Sequence, residues 1–106
     1  MEPSPRIQQL LSLLKEEPQD LFLNYALGLE YAAATDFANA HRQFEKVLEL
    51  DPNYIAVFYQ LGKLYEAQLQ TNSALRFYRL GLEKAQQQKN NKAINEFGEA
   101  IFLLED

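Results

Sequence analysis

Apolar residues recur at three- and four-residue spacing along nearly the whole chain, the stripe of an amphipathic helix. Proline and short Asp, Asn and Thr clusters interrupt the stripe. Ile7, Leu10, Leu11, Leu13 and Leu14 form the first stripe, with Ser4 placed as a cap and Pro5 suited to the first turn. Glu16, Glu17 and Pro18 end it, because proline cannot continue a helix. A second helix is predicted from Leu21 to about Ala34 behind Asp20, and a third over Phe37 to Leu50 behind Asp36. The third carries Ala40, Phe44, Val47 and Leu48 on one face, and Asp51-Pro52-Asn53 closes it. A fourth spans Tyr54 to about Gln68. Thr71, Asn72 and Ser73 then supply turn and cap chemistry for a fifth, starting near Ser73 and running to about Lys89. Asn90 and Asn91 break the pattern before a sixth, Lys92 to Leu104, with Ile94, Phe97, Ile101 and Leu104 inward. No segment predicts a strand.

The pattern repeats. Tyr25 matches Tyr59, Leu27 matches Leu61, Gly28 matches Gly62, Tyr31 matches Tyr65, Ala40 matches Ala74 and Phe44 matches Tyr78, at an offset of about 34 residues. Glycine inside a helix costs roughly 1 kcal/mol against alanine. Its recurrence at Gly28 and Gly62 predicts close approach of a neighbouring helix. Ala40 is the small residue that lets paired helices cross. Leu10 and Pro18 stand one period before Phe44 and Pro52, so the first helix reads as the second half of a repeat, covering the apolar flank of the next unit. Phe97-Gly98 followed by Ile101 echoes Leu61-Gly62 followed by Tyr65, with a slightly longer offset, so the last helix reads as the degenerate first half of a third repeat.

The unit containing Leu27, Gly28, Tyr31, Ala40, Phe44 and Pro52 resembles a tetratricopeptide repeat, and the likeness covers nearly the whole chain. The second copy departs where Gln86 replaces the proline. Asn24 stands where the family usually has a large apolar residue, whereas Phe58 fits. The resemblance implies an all-α fold, a right-handed antiparallel helix-hairpin array of about six helices. It would form a single domain over 1–106, with a leading helix at 5–17, repeats at 20–52 and 54–88, and a trailing capping helix at 92–104. It further implies binding of a peptide or protein segment in a concave groove lined by the first helix of each repeat. That groove would present Phe22, Tyr25, Leu29 and Ala32, then Tyr59, Lys63 and Glu66, with Asn95 and Glu99 on the last helix. One subgroup of the family grips the C-terminal carboxylate of heat-shock chaperones with Asn, Lys and Arg. Here Leu29 and Lys63 occupy matching places and the asparagine set is missing, so chaperone-tail binding is not expected.

Composition narrows the function. With no cysteine there is no disulfide, thiolate metal site or cysteine nucleophile. A formal charge of -5 argues against a nucleic-acid surface, which needs concentrated Lys and Arg. The acidic excess falls in the first half. Arg76, Arg79, Lys84, Lys89 and Lys92 make a weakly basic stretch, read as a solvated face first and as a docking patch for an acidic partner second. Met1 to Pro5 is polar, with no apolar signal region after it, and no apolar run is long enough to cross a bilayer. A cytoplasmic location without membrane attachment is expected.

His41 is the only histidine. With Glu45 beside it at helical spacing it makes neither a metal site nor a triad. No glycine loop cradles phosphate, and no carboxylate pair sits in a predicted cleft, so neither an enzyme nor a cofactor is expected.

The candidate partner-binding residues that the resemblance implies are Phe22, Tyr25, Leu29, Tyr59, Lys63 and Glu66. Tyr25 and Tyr59, one repeat apart, would form a ladder against a bound segment, and Phe22 and Leu29 extend an apolar strip beside it. Lys63 and Glu66 also fit a surface pair. Tyr31 and Tyr65 are assigned to the core, and Phe77 and Leu80 to contact with the trailing helix or with another copy. An adaptor that holds a protein or peptide is the first functional reading. The alternative is a structural homo-oligomer assembled through the exposed apolar strip.

Overall fold

In the computed structural model, residues 3–105 are described. They form six α-helices: α1 (Pro5–Glu16), α2 (Leu21–Ala33), α3 (Phe37–Leu50), α4 (Ile55–Ala67), α5 (Thr71–Gln87) and α6 (Asn91–Leu104). Among the described residues there is no strand. Met1 and Glu2, which open the polar segment noted above, lie outside them, as does Asp106. The chain divides into two compact units, Met1–Pro52 and Asn53–Asp106. The division falls between the two expected repeats.

Unit 1 is α1 packed on the α2–α3 hairpin. Ser4 caps α1 by accepting the Ile7 amide at 3.2 Å, and Asp20 and Asp36 cap α2 and α3 through the Leu23 and Asn39 amides. Ile7 and Leu10 are buried against Ala26 and Leu27, with Leu14, Leu23 and Tyr31 half-buried around them. Leu11 and Leu13 of the predicted stripe stay exposed, because a single helix covers only one side of α1. Arg6 donates to Glu30 at 2.8 Å and ties α1 to α2 at the surface.

Between α2 and α3, Phe44 lies across Gly28. A Cβ built on Gly28 would sit 2.6 Å from Cδ1 of Phe44, so no other residue fits without moving the ring. The glycine cost in α2 is thereby offset by burial of a phenyl ring, which is fully inaccessible.

Asn24, the departure from the family pattern, is 3% exposed. Its amide donates to the carbonyls of Pro18 (3.1 Å) and Asp20 (2.8 Å), and its Oδ1 accepts from Gln43 of α3. It gives the Pro18 carbonyl a donor at the entry to α2 that an apolar side chain could not supply, and adds a second donor to the Asp20 carbonyl, which also accepts the Asn24 backbone amide at 3.1 Å.

Unit 2 is the α4–α5 hairpin followed by α6. Tyr78 lies on Gly62 as Phe44 does on Gly28, and a third seat follows, Phe97 of α6 on Gly81 of α5. Ala74, Tyr78, Ala85 and Val57 are fully buried. Asn53 takes hydrogen bonds from Lys84 (3.2 Å) and Gln88 (2.8 Å), fixing the start of α4 to the end of α5.

Two expectations need correction here. Helix α5 begins at Thr71, with Gln70 as its cap residue, so Thr71, Asn72 and Ser73 are its first turn and not its cap. The reason is the end of α4. Leu69 adopts a left-handed φ of 60°, and the Gln70 amide returns to the Tyr65 carbonyl at 2.9 Å, closing α4 early. Thr35 and Lys89 do the same after α2 and α5, at φ 56° in both cases. Second, of the four inward residues expected on α6, only Phe97 is buried. Ile94, Ile101 and Leu104 are half-buried, because among the described residues no further helix covers that side of α6.

Candidate functional site

The first helix of each hairpin turns a face outward. In unit 1, Phe22, Tyr25 and Leu29 share one face of α2, as their spacing requires. Phe22 is 69% exposed and Leu29 is also exposed, while Tyr25 is half-buried with its ring 6.1 Å from that of Phe44. The core ring of the hairpin thus supports Tyr25 from beneath, and Phe22 and Leu29 stand free beside it. Ala32 is half-buried on the same helix.

In unit 2, Tyr59, Lys63 and Glu66 share the corresponding face of α4. Tyr59 rests on two rings, Tyr78 at 5.6 Å and Phe97 at 5.8 Å edge-on. Lys63 is exposed and holds its ammonium 6.0 Å from the Tyr59 centroid, within cation–π range. Glu66 accepts the hydroxyl hydrogen of Tyr78. Burial, and then this bond to a carboxylate, push the Tyr78 pKa well above the ordinary phenol range. So Lys63 and Glu66 turn to different partners and do not act as the surface pair their spacing suggested.

Tyr59 also forms one wall of a cleft of about 200 Å³ between α4 and α6. Ile55, Ala56 and Phe97 give it an apolar lining, and Asn90, Lys92 and Glu96 a polar rim. Asn90 is engaged as the cap of α6, accepting the Ala93 amide at 3.1 Å. Of the residues expected at the groove, Tyr59 lines this cleft. Asn95 and Glu99, expected on the last helix, are not among its lining residues, and α6 contributes Ala93, Glu96 and Phe97. Ala93 and Phe97, one turn apart on α6, were the available signal.

In unit 1 a larger recess of about 480 Å³ lies where the start of α1 meets the end of α2 and the start of α3, lined by Ser4, Ile7, Tyr31, Asp36 and Asn39 among others. Its polar groups are occupied by capping, Ser4 with the Ile7 amide and Asp36 with Asn39. Tyr31 is therefore at the edge of the core and not inside it. Tyr65 is likewise half-buried, with its ring stacked on Phe77 at 5.4 Å and 4° between planes. This contact gives Phe77 a partner on α4, where the trailing helix or another copy was expected. His41 and Glu45 pair along α3 at 3.3 Å. Among the described residues no cluster of three potential metal ligands forms, and no helix is long and apolar enough to cross a membrane.

Recurring helical hairpins, each keyed by an aromatic ring on a glycine, define a helical-repeat protein. The tetratricopeptide-repeat family model matches residues 31–96, and the chain belongs to that family. A tetratricopeptide repeat domain protein from Salinibacter ruber, known from its solution structure, is 35% identical over 83% of this chain and 89% of its own, with a TM-score of 0.76. A protein from Bordetella parapertussis, 24% identical, superposes over 95% of this chain and 88% of its own with a TM-score of 0.85. The TPR2B domain of yeast Sti1, solved as a pHsp70 complex, is 18% identical over 92% of this chain and 78% of its own, with a TM-score of 0.83. The last two likenesses concern the fold alone. No curated protein sequence matches the chain.

Proposed function

We propose that the protein is a non-enzymatic, cytoplasmic binding module in which the outward face of the first helix of a hairpin, α4 in unit 2 and likewise α2 in unit 1, holds a segment of a partner protein. The observation that carries this reading is the Tyr59 cleft: an apolar recess supported by Tyr78 and Phe97 and rimmed by Lys92 and Glu96. A recess of that size takes one apolar side chain, while the polar rim holds the backbone beside it. In unit 1 the corresponding face presents Phe22, Tyr25 and Leu29, and in unit 2 Lys63 adds charge beside the cleft. That a related fold in yeast Sti1 was solved as a pHsp70 complex supports protein or peptide binding as the general task. Leu29 and Lys63, in place of the asparagine set, disfavour a chaperone tail as the ligand.

The test is selection of peptides from a random display library, followed by affinity measurement on variants. Ala56→Trp fills the cleft from an exposed position and is expected to weaken the selected peptides at least about tenfold. The Tyr25→Ala, Tyr59→Ala double variant is expected to abolish binding while the helical signal persists. A chaperone C-terminal peptide is expected not to bind. Peptides that bind Ala56→Trp and the double variant as tightly as wild type would refute the assignment.

A further inference from the structure

Three of the four glycines carry an aromatic ring from the antiparallel neighbouring helix: Phe44 on Gly28, Tyr78 on Gly62 and Phe97 on Gly81. The fourth, Gly98, stands on α6 where Gly28 and Gly62 stand on α2 and α4, and a Cβ built there meets nothing within 4 Å. One turn further on, Phe102 is 77% exposed. Ile94 and Ile101 flank the notch, both half-buried. A single face of α6 therefore presents an empty seat and an unseated ring.

The geometry points to a second copy of this chain as the occupant, with two α6 helices pairing antiparallel about a two-fold axis level with Ala100. Facing residues of antiparallel helices have numbers with a constant sum. Within the chain this relation holds each ring over its glycine across the α2–α3, α4–α5 and α5–α6 turns. Applied to two copies of α6 about Ala100, it sets Phe102 of each copy opposite Gly98 of the other. The surface is self-complementary, which is the requirement of an isologous interface. A foreign helix fills the seat but gives no reason for the ring to stand one turn away on the same face. Glu105, near the seam, is already paired with Arg79 of the same copy, so it brings no unpaired charge to the contact. The interface is one face of a helix of 14 residues, which places it among small, weak associations. Each copy carries a formal charge of -5, so added salt strengthens the dimer by screening repulsion. This face is separate from the Tyr59 cleft, and the inference does not rest on peptide binding.

Sedimentation equilibrium of the full chain up to about 1 mM tests it, since that range captures weak dimers. A monomer–dimer equilibrium that tightens with salt is expected. Phe102→Gly and Gly98→Phe are each expected to weaken association at least about tenfold. The chain carrying both substitutions exchanges ring and seat, and is expected to regain association close to wild type. In the wild type, backbone amide shifts on dilution are expected to move around Gly98 and Phe102 and not on α2. A wild-type chain that is monomeric throughout, an assembly larger than a dimer, or dilution shifts centred on α2 or α4 overturns the proposal. So does a folded exchange variant that stays monomeric.

Discussion

The two units share a hairpin skeleton and differ in how the third helix joins it. In unit 1, α1 precedes the hairpin and lays aliphatic side chains, Ile7 and Leu10, on Ala26 and Leu27 of α2. In unit 2, α6 follows the hairpin and inserts one ring, Phe97, onto Gly81, where it meets Tyr59 and Tyr78. Aliphatic contacts are non-directional and shift with little loss. Phe97 is enclosed between the bare backbone of Gly81 and two other rings, and Tyr78 is further held by its hydroxyl on Glu66. Unit 2 is the more tightly specified of the two, and it is there that a defined cleft forms beside the same rings.

The largest effect that can break this contrast is overfilling a seat. Gly62→Leu is expected to cost about 3 kcal/mol or more, because Tyr78 is fully buried and tethered. Gly28→Leu is expected to cost about 1–3 kcal/mol, because Phe44 has no hydroxyl to hold it in place. Chemical denaturation of both variants measures the difference, and equal costs would remove the distinction drawn between the units.

Next comes Asn24→Ala, a change specific to unit 1, where the aligned position of unit 2 is Phe58. It removes the side-chain bonds to the carbonyls of Pro18 and Asp20 and to the amide of Gln43, the Asp20 carbonyl keeping the backbone amide of residue 24, at about 1–3 kcal/mol. A loss within error of zero in the same denaturation assay would show that water replaces these bonds.

A smaller effect depends on pH. In the folded chain Tyr78 holds its proton above its ordinary value of 10.0, whereas in the unfolded chain it ionises there. Below that pH both states keep the proton and Tyr78 adds no pH dependence. Above it the unfolded state binds fewer protons, so stability falls by up to about 1.4 kcal/mol per pH unit. Tyr78→Phe is expected to remove that part of the alkaline slope and to cost about 1–2 kcal/mol at neutral pH through the lost bond to Glu66. An unchanged alkaline slope in the variant would assign it to other groups.

The smallest effect has the opposite sign. Gly98→Ala is expected to raise stability by about 0.5–1 kcal/mol, since its Cβ meets nothing and alanine is the better helix former. Thermal melts at a concentration low enough to keep the chain monomeric would show it, and a loss of stability would mean that Gly98 is not an open seat.

Much of the architecture was legible because it depends on local spacing. Capping by Ser4, Asp20 and Asp36, the six stripes and the recurrence of Gly28 at Gly62 all follow from residue type and interval. The start of α5 was not legible, since it depends on Leu69 taking a left-handed conformation that leucine disfavours. Nor was the partner of Glu66. Spacing pointed to Lys63, but a buried phenol that needs an acceptor lay across the hairpin. The outward faces of α2 and α4 could be read from helical periodicity, yet the cleft beside Tyr59 could not, because its second wall depends on how α6 is rotated against α5.

By itself, then, the sequence determined the helices, their caps and the glycine positions at which another helix could come close, because each rests on residues within a few turns of one another. Only the tertiary structure decided which ring occupies which glycine and that Gly98 receives none. A Cβ site is full or empty according to what lies across from it, and that is a property of the neighbouring helix.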